Sequence, residues 1–284
     1  MLTTLPITQE FDFTDQDFRF LVRMVNEQAG IVLPDRKRNL VYTRLSRRLR
    51  ALGLDSFREY CRFIAGPDGA TEVGAMVNAI TTNLTAFFRE KHHFDDLRTR
   101  VLPEITKSPP AGPKRLRIWS AGCSSGEEPY SIAMTLCAAV PDLGRWDACI
   151  LATDLDTEMI RRADAGLYSG EQLQGIPGTY RKRFTTAIRQ DGTVHIRMGE
   201  EIRRLITFKP LNLNGAWPMR GPFDIIFCRN VMIYFDKAAK TKLFSRFADI
   251  LRPGGWLFVG HSESLINVTD RFAATGRTTY RRLA

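Results

Sequence analysis

The chain has 284 residues, of which 44% are hydrophobic and 25% charged, and its formal net charge is +10. These values are typical of a soluble globular protein with one large domain or two of ordinary size. No apolar run approaches the roughly 20 residues of a membrane span, so no membrane-spanning helix is expected. The positive charge favours an acidic partner, which leaves nucleic acid, anionic lipid and acidic protein as candidates.

The cysteines and the N-terminus predict a cytoplasmic location. Five cysteines are scattered along the chain without a C-x-x-C pair, which favours reduced thiols over disulfides or a zinc site. With only four histidines, a histidine-based metal site is not expected either. Residues 1–18 are polar and acidic, without the basic and apolar regions of a secretory signal.

Residues 1 to about 80 are predicted to form a small helical bundle, because helix caps recur there without a strand pattern. Side chains that satisfy free backbone groups, and glycines that stop helices, set the boundaries. Thr14 and Gly30 bound the first helix, which ends at about Ala29. Asp35 and Gly53 bound the second, and Ser56 and Glu59 form a capping box at the start of the third. The fourth helix is predicted over about Thr71–Ile80.

The second helix carries a one-sided positive charge. At about 100° per residue its basic residues and its apolar residues fall on opposite sides, and no acidic residue lies between positions 36 and 50. Such a run is commonly a solvated face. A face without acidic i,i+4 partners loses internal stabilisation, however, so an external acidic partner is a candidate. The basic residues on this side are Lys37, Arg44, Arg47 and Arg48.

A connector separates the bundle from the rest of the chain. Residues 80–89 are polar and aromatic, a helix is predicted over about Lys91–Leu102, and Lys107–Pro113 has the proline and glycine content of a linker. The predicted domains are an N-terminal helical domain at 1–82, a connector and linker helix at 83–114, and a larger domain at 115–284.

The larger domain is predicted to be of the α/β class. From Arg115 onward strands and helices alternate, which indicates a mostly parallel sheet with helices on both faces. The alternation breaks at about 168–209, where Gln190-Asp-Gly192 is a hairpin turn signal, so a small antiparallel insertion is predicted there. Residues 272–282 predict a hairpin that completes the sheet.

The most informative stretch is a strand, a glycine loop and a helix. Gly122 and Gly126 allow the backbone to turn sharply and a ligand to approach it closely. The next strand ends at Asp154, where a carboxylate can accept hydrogen bonds from both hydroxyls of a ribose. Neither G-x-G-x-x-G nor G-K-[S/T] is present, and Glu127 and Glu128 would repel phosphates. The loop suits a nucleoside with a positively charged tail, such as S-adenosylmethionine.

A second strand end carries hydrogen-bond donors. Arg229 and Asn230 close the strand Phe223–Cys228, and Tyr234 follows. Methyltransferases that act on amino groups of nucleic-acid bases often have an Asn/Asp-Pro-Pro-aromatic motif here, whose acceptors hold the target nitrogen. In this chain the first residue is cationic and both prolines are missing, so Arg229 and the Tyr234 hydroxyl match an anionic acceptor. The alternative for Tyr234 is a core aromatic with a satisfied hydroxyl.

Together these motifs resemble the chemotaxis receptor methyltransferases, the CheR family, over nearly the whole chain. The resemblance implies an N-terminal helical domain and a Rossmann-like methyltransferase domain with an inserted β-subdomain. It also implies transfer of a methyl group from S-adenosylmethionine to glutamate side chains of chemoreceptors. The stretches that carry it, in the family's order, are Thr82–Glu90, Ser124–Ser131, Asp154–Glu158, Cys228–Asp236 and Gly260–Glu263.

The resemblance also assigns site residues. It implies that the second helix docks on the receptor and that the inserted sheet is a candidate site for a receptor tail peptide. Arg89, Tyr234 and Arg229 are the expected catalytic residues, since Arg89 can neutralise a carboxylate of the cofactor or the substrate. The expected cofactor contacts are Asn83, Thr85, Arg89, Gly122, Glu128, Asp154, Asn212, Leu213, Arg229 and Asn230, and no metal is expected.

Two other functions are compatible with parts of the sequence. The excess of basic residues favours a nucleic-acid methyltransferase. The donors at the strand end Arg229–Asn230 argue against one, because a base amino group needs acceptors there. The basic helix also has few aromatic residues among its charges, whereas a base-stacking surface needs them. A non-catalytic adaptor that binds the cofactor or its product is the third candidate.

Overall fold

The computed structural model of this protein describes residues 10–107, 114–190 and 192–284. The chain forms two compact units, Met1–Thr82 and Asn83–Ala284. None of the helices in the described ranges combines the length and the apolar character of a membrane span.

The first unit is all-helical in its described part, as its cap pattern predicts. Thr14 accepts a hydrogen bond from the Asp17 backbone N–H, and the Asp17 carboxylate accepts one from the Thr14 N–H. Gly30 ends the first helix with φ 69°, in the left-handed region that favours glycine. The four helices are α1 (Asp15–Ala29), α2 (Arg38–Leu52), α3 (Phe57–Ala65) and α4 (Ala70–Ile80).

Helices α2 and α3 begin differently from the prediction. Asp35 opens a short 3₁₀ turn and makes no side-chain cap for α2, so that cap prediction is wrong. Ser56 accepts a hydrogen bond from the Glu59 N–H, as predicted. The Glu59 carboxylate, however, accepts from the Asp55 N–H instead of closing the box on Ser56.

The second unit opens with a longer helical segment than predicted. It consists of α5 (His92–Asp96), a π-helical turn (Leu97–Val101) and α6 (Leu102–Lys107). The buried side chains of Leu97, Val101 and Ile105 keep one apolar face through the π turn, which explains why the helix continues past residue 102. Of the predicted linker Lys107–Pro113, residues 108–113 lie outside the described residues.

The rest of the second unit alternates strands and helices. Its strands are β1 (Arg115–Ala121), β2 (Asp147–Asp154), β3 (Leu167–Tyr168), β4 (Thr185–Gln190), β5 (Thr193–Met198), β6 (Ile206–Pro210), β7 (Phe223–Cys228), β8 (Leu251–Val259), β9 (Phe272–Gly276) and β10 (Thr279–Arg282). Its later helices are α7 (Glu127–Ala139), α8 (Thr157–Ala165), α9 (Gly178–Phe184), α10 (Glu200–Arg203) and α11 (Lys237–Ile250).

Seven strands form the large sheet, in the order β6-β2-β1-β7-β8-β10-β9. The first five are parallel, and the predicted closing hairpin, β9–β10, adds two antiparallel strands next to β8. Strand β1 buries Ile118 on one face of the sheet and Trp119 on the other. Both faces are therefore covered, and the fold is a Rossmann-like α/β sheet.

The inserted antiparallel sheet is present and small. It has the order β3-β5-β4, and β4 pairs with β5 from Thr185 opposite Met198 to Gln190 opposite Thr193. Asp191, in the predicted turn, lies outside the described residues. Strand β6 pairs with β2 in the large sheet, so the inserted sheet itself spans 167–198, within the predicted interval of about 168–209.

Candidate functional site

The order of the strands creates a topological switch point. The chain runs outward from β1 through β2 to β6 on one side, and through β7 to β8 on the other. The loops that follow β1 and β7 therefore leave the same carboxyl edge in opposite directions, and a crevice between such loops is where α/β sheets bind ligands. The predicted glycine loop follows β1, and Arg229 follows β7.

The glycine loop is shaped by two residues in left-handed conformations. Gly122 has φ 86° and Gly126 has φ 99°. A Cβ on Gly122 would collide with the Val231 side chain, and one on Gly126 would lie 2.8 Å from the Tyr168 hydroxyl oxygen. The Tyr168 hydroxyl in turn donates to the Ser125 carbonyl at 2.7 Å. The loop is thus packed closely from two sides, because no side chain is present at either glycine.

Asp154 faces the glycine loop. Its carboxylate accepts hydrogen bonds from the Ser124 N–H at 2.7 Å and from the Asp156 N–H at 2.9 Å. Burial raises the pKa of Asp154, and these backbone hydrogen bonds lower it. Asp156 is the N-cap of α8, and its carboxylate accepts from the Glu158 and Met159 N–H groups. A carboxylate offers about four acceptor positions, so Asp154 can still accept from a ribose hydroxyl.

The connector also contacts the glycine loop. The Asn83 side-chain amide donates to Asp156 Oδ2 at 2.7 Å, and the Asn83 backbone carbonyl accepts from the Ser124 hydroxyl at 3.1 Å. Asn83 therefore holds the loop and the start of α8 together. Thr85, half-buried two residues later, has no side-chain partner among the described residues. Its hydroxyl is free to bind a ligand.

A buried ion pair joins the two loops. Glu128 accepts from the Ser120 hydroxyl at 2.7 Å and from Arg229 Nη1 at 3.0 Å. Arg229 also donates to the Arg89 carbonyl, and its Nη2 lies 3.5 Å from Glu90 Oε2. Burial raises the pKa of Glu128, and the charge of Arg229 opposes that increase. Arg229 was expected to face the acceptor as a donor, but here its charge neutralises two carboxylates.

Arg89 lies at the end of the connector and beside this pair. It is half-buried, and its Nη1 donates to the Leu84 carbonyl at 2.6 Å. Tyr234 ends a 3₁₀ turn after β7 and is also half-buried. Arg89 therefore lies on the connector, and Tyr234 lies on the segment that follows β7. Arg229, at the start of that segment, joins the two because it donates to the Arg89 carbonyl.

Glu263 is a site residue to which the sequence analysis assigns no role. Its buried carboxylate accepts from the backbone N–H groups of Asn230 at 2.8 Å, Met232 at 2.7 Å and Gly260 at 2.6 Å. Asn230 has φ 59°, so this carboxylate stabilises a left-handed turn after β7. The available signal was its place in the stretch Gly260–Glu263, which the family resemblance includes.

Asn212 and Leu213 follow β6, the strand next to β2. The Leu211 N–H donates to the Asp154 carbonyl, which places the start of this loop beside Asp154. The Asn212 side chain accepts from the Asn214 N–H at 2.9 Å, and the Leu213 carbonyl accepts from Arg246 at 2.6 Å. Their predicted contact with adenine stays a prediction.

In the first unit, two of the four basic residues on the expected docking face of α2 have internal partners, and the other two are exposed. Arg48 donates to the buried Glu72 with two nitrogens, at 2.9 and 2.6 Å, and Arg44 donates to the Ile80 carbonyl at 2.6 Å. Lys37 and Arg47 are exposed and have no acidic partner among the described residues. The acidic partner that α2 lacks within its own sequence is thus supplied to Arg48 by α4.

One group of side chains resembles a metal site in composition. Donor atoms of Glu90, His92 and His93 lie within 4.8 Å of one another. The Arg229 guanidinium lies 3.5 Å from the same Glu90 carboxylate, so a cation already balances that charge. A second cation at this position would be repelled.

The donor set fits S-adenosylmethionine. Glu90, Glu128 and Asp154 supply three carboxylates around the switch point, and Arg229 is the guanidinium buried among them. The remaining negative charge matches the ammonium and sulfonium groups of this cofactor.

Comparisons with known proteins cover both units. The family described as "CheR methyltransferase, SAM binding domain" matches residues 83–281, and "CheR methyltransferase, all-alpha domain" matches residues 16–81.

Curated relatives match more than nine-tenths of the chain. A "Probable chemotaxis protein methyltransferase" of Rhizobium etli is 44% identical and covers 91% of this chain and 96% of the relative. "Chemotaxis protein methyltransferase 2" of Pseudomonas aeruginosa is 43% identical and covers 96% and 95%. The "Chemotaxis protein methyltransferase" of Salmonella typhimurium is 41% identical and covers 97% and 93%.

Proposed function

The chain belongs to the CheR methyltransferase family and is an S-adenosylmethionine-dependent methyltransferase, and we propose that it methylates glutamate side chains in the cytoplasmic domains of chemoreceptors. The observation that supports a carboxylate as the methyl acceptor is the arrangement of charges at the carboxyl edge of the sheet. The nearby carboxylates Glu90 and Glu128 already face Arg229, while Arg89 and Tyr234 add a guanidinium and a hydroxyl. An incoming carboxylate therefore meets donors.

In this proposal the cofactor is held by both sides of the switch point. Asp154 accepts from the ribose hydroxyls, Glu128 pairs with the ammonium group, and the backbone of the glycine loop borders the nucleoside. Arg89, Thr85 and Asn230 complete the site from the connector and the β7 end, with Asn212 and Leu213 at the adenine. The sulfonium supplies an electrophilic methyl carbon when the cofactor is bound.

The acceptor needs orientation more than activation. A glutamate side chain is already ionised at neutral pH, so no general base is required. Arg89 and Tyr234 hold the carboxylate so that one oxygen faces the methyl carbon opposite the sulfur. Alignment of this kind is worth roughly 7–11 kcal/mol in well-oriented intramolecular systems. Arg229 contributes indirectly, because it keeps Glu90 and Glu128 from repelling the substrate.

Receptor recognition is assigned to two surfaces. Lys37 and Arg47 on α2 offer exposed positive charge to an acidic receptor segment, while Arg44 and Arg48 maintain the helical unit (residues 1–82) by their internal contacts. Strand β4 is an outer strand of the inserted sheet, with one edge that pairs with β5. A receptor tail peptide can add to its other edge as a further strand. A receptor's cytoplasmic domain as substrate places the enzyme in the cytoplasm.

The test is transfer of tritiated methyl groups to membranes that contain chemoreceptors. We expect label on receptor glutamates that alkali releases, because methyl esters hydrolyse in base whereas N-methyl groups do not. The control is the same membranes with each receptor glutamate of the methylation region changed to alanine. Alkali-stable label on RNA or DNA would instead identify a nucleic-acid methyltransferase. Cofactor binding without transfer to any receptor would identify an adaptor.

A further inference from the structure

Arg89 lies between two residues with unusual backbone conformations. Phe88 has φ 54° and Glu90 has φ 58°, both in the left-handed region that side chains other than glycine rarely adopt. Neither conformation is stable by itself, so surrounding contacts must hold the turn. The direction of the Arg89 side chain therefore depends on whatever fixes residues 88 and 90.

On the Phe88 side, the turn is fixed by one hydrogen bond and by aromatic packing. The Phe88 N–H donates to the Ser131 hydroxyl of α7 at 2.9 Å. Its ring packs edge-on against Phe94, with centroids 5.0 Å apart, and lies 5.8 Å from the ring of Tyr180. This half of the turn is attached to the helices of the second unit.

On the Glu90 side, the turn is fixed by charge. Glu90 Oε1 accepts from the His261 ring Nδ1 at 2.8 Å and from the His261 backbone N–H at 3.2 Å. The Asn230 side-chain amide donates to the same oxygen at 3.4 Å. Oε2 lies 3.5 Å from the Arg229 guanidinium and has no hydrogen-bond partner. This carboxylate is the group that joins the connector to the ends of both β7 and β8.

The charge of Glu90 is strongly stabilised there. Burial alone raises the pKa of this carboxyl, but the hydrogen bonds from His261 and the charge of Arg229 outweigh it and lower the pKa to about 2. Glu90 is therefore ionised throughout the neutral range. Only 9% of its side chain is exposed, so water does not replace these contacts when one of them is lost.

We infer that Glu90 is a positioning residue, whose carboxylate holds the left-handed turn so that Arg89 is aimed at the acceptor. The inference rests on the proposed function, in which Arg89 orients the glutamate carboxylate. It gives the acidic residue that follows Arg89 a larger role in the rate of methyl transfer than in cofactor affinity.

The test compares Glu90→Gln with Arg89→Ala and the double variant. Rates of methyl transfer to receptor membranes are expressed per site that binds S-adenosylhomocysteine, so that unfolded protein does not count. We expect Glu90→Gln to lower this rate about 30-fold, but less than about threefold further in the Arg89→Ala background, because residues that act through one another are non-additive. Affinity for S-adenosylhomocysteine should fall much less than the rate falls, even though Arg89 is also an expected cofactor contact, because the proposal assigns Arg89 to the acceptor carboxylate during methyl transfer.

Glu104→Gln is the matched control. Glu104 also pairs with an arginine, Arg281, at 2.5 Å in the second unit, but it is not part of the turn Phe88–Glu90. The Glu104→Gln variant should leave the rate per site and the cofactor affinity unchanged. A rate of Glu90→Gln within threefold of the wild type, or an equal loss in the wild-type and Arg89→Ala backgrounds, overturns the inference.

Failure of the proposed function gives a different pattern. If the wild-type enzyme labels no receptor, the chemoreceptor proposal fails, and the turn itself is measured by hydrogen exchange. Faster exchange of residues 86–91 in Glu90→Gln, with unchanged exchange in Glu104→Gln, still supports Glu90 as the residue that fixes Arg89. Unchanged protection of residues 86–91 contradicts it.

Discussion

Arg229 and Glu128 form a buried ion pair, with 3.0 Å between Arg229 Nη1 and Glu128 Oε2. The two residues follow different strands and are 101 positions apart in the chain. In the proposed mechanism Glu128 pairs with the cofactor ammonium, and the charge of Arg229 limits the repulsion between Glu128 and the substrate carboxylate. The pair is therefore the proposed reason why cofactor and acceptor can bind side by side.

Removal of Arg229 should affect Glu128 first. Arg229→Gln leaves Glu128 buried without its counter-charge, so we expect a loss of unfolding free energy of about 3 kcal/mol and weaker binding of S-adenosylhomocysteine. The double variant Arg229→Gln/Glu128→Gln should recover stability but not binding. Urea denaturation and calorimetry measure the two effects. Additive losses of stability would show that the two side chains are not coupled.

Arg89 and Tyr234 should matter for turnover more than for cofactor binding. Arg89→Ala and Tyr234→Phe each remove a donor that the proposed function assigns to the acceptor, so we expect turnover to fall about 10²–10³-fold. The Kd for S-adenosylhomocysteine should change much less. Arg98→Ala, which removes an exposed arginine of the π turn, is the control. Equal losses of turnover and affinity would restrict both residues to binding.

Asp154 should govern affinity for the cofactor. Asp154→Asn keeps the shape of the side chain but removes a charged acceptor, so we expect binding of S-adenosylhomocysteine to weaken about 10–100-fold. Asp147→Asn changes the same residue type at the opposite end of the same strand, where Asp147 is exposed and pairs with Arg117. Isothermal titration calorimetry distinguishes the two. Equal affinities for both variants would remove Asp154 from the site.

Charge reversal on α2 should weaken the receptor interaction only at exposed positions. Lys37→Glu/Arg47→Glu should lower kcat/KM for receptor membranes about tenfold at low salt, and less at high salt, as expected for a solvated charged surface. Reversal of Lys242 and Arg145, two exposed basic residues of the second unit, gives the same net charge and should have little effect.

Arg48→Glu should behave differently, because it breaks the ion pair with the buried Glu72 and places a second negative charge there. We expect the helical unit to unfold at lower urea, which circular dichroism measures. If Lys37→Glu/Arg47→Glu leaves receptor methylation unchanged at every salt concentration, α2 has no docking role.

His93 should make the second unit sensitive to acid. Burial lowers the pKa of His93 from 6.5 to about 3, and the charge of Arg229 contributes. Between these values the unfolded chain binds a proton that the folded chain does not, so stability is complete above pH 6.5 and falls as the pH decreases toward 3. The slope from one such group is about 1.4 kcal/mol per pH unit.

His93→Gln removes that proton and should flatten the decline between pH 6.5 and 3, as measured by urea denaturation at each pH. His195→Gln, a change to the half-buried histidine of β5, controls for the loss of an imidazole elsewhere. An unchanged slope in His93→Gln would show that His93 does not carry the linked proton.

The sequence by itself determined the local features of this protein. The caps at Thr14 and Asp156 join groups within about four residues, and the positive φ of Gly122 belongs to its own backbone, so these features depend little on which elements pack together. The alternation of strands and helices and the family motifs then placed Asp154 and Arg229 at the ends of strands. These predictions depend on backbone conformation and hydrogen bonding along the chain.

Only the tertiary structure decided which charges neutralise one another. Arg48 meets Glu72 across 24 positions, and Glu90 meets His261 across 171. Such pairs depend on which helices and strands become neighbours, and the strand order that sets this is a property of the packed sheet. The role of Arg229 changed for the same reason: its position was predictable from the end of β7, but its partner was not, because burial removes water and leaves Glu128 as the carboxylate it must compensate.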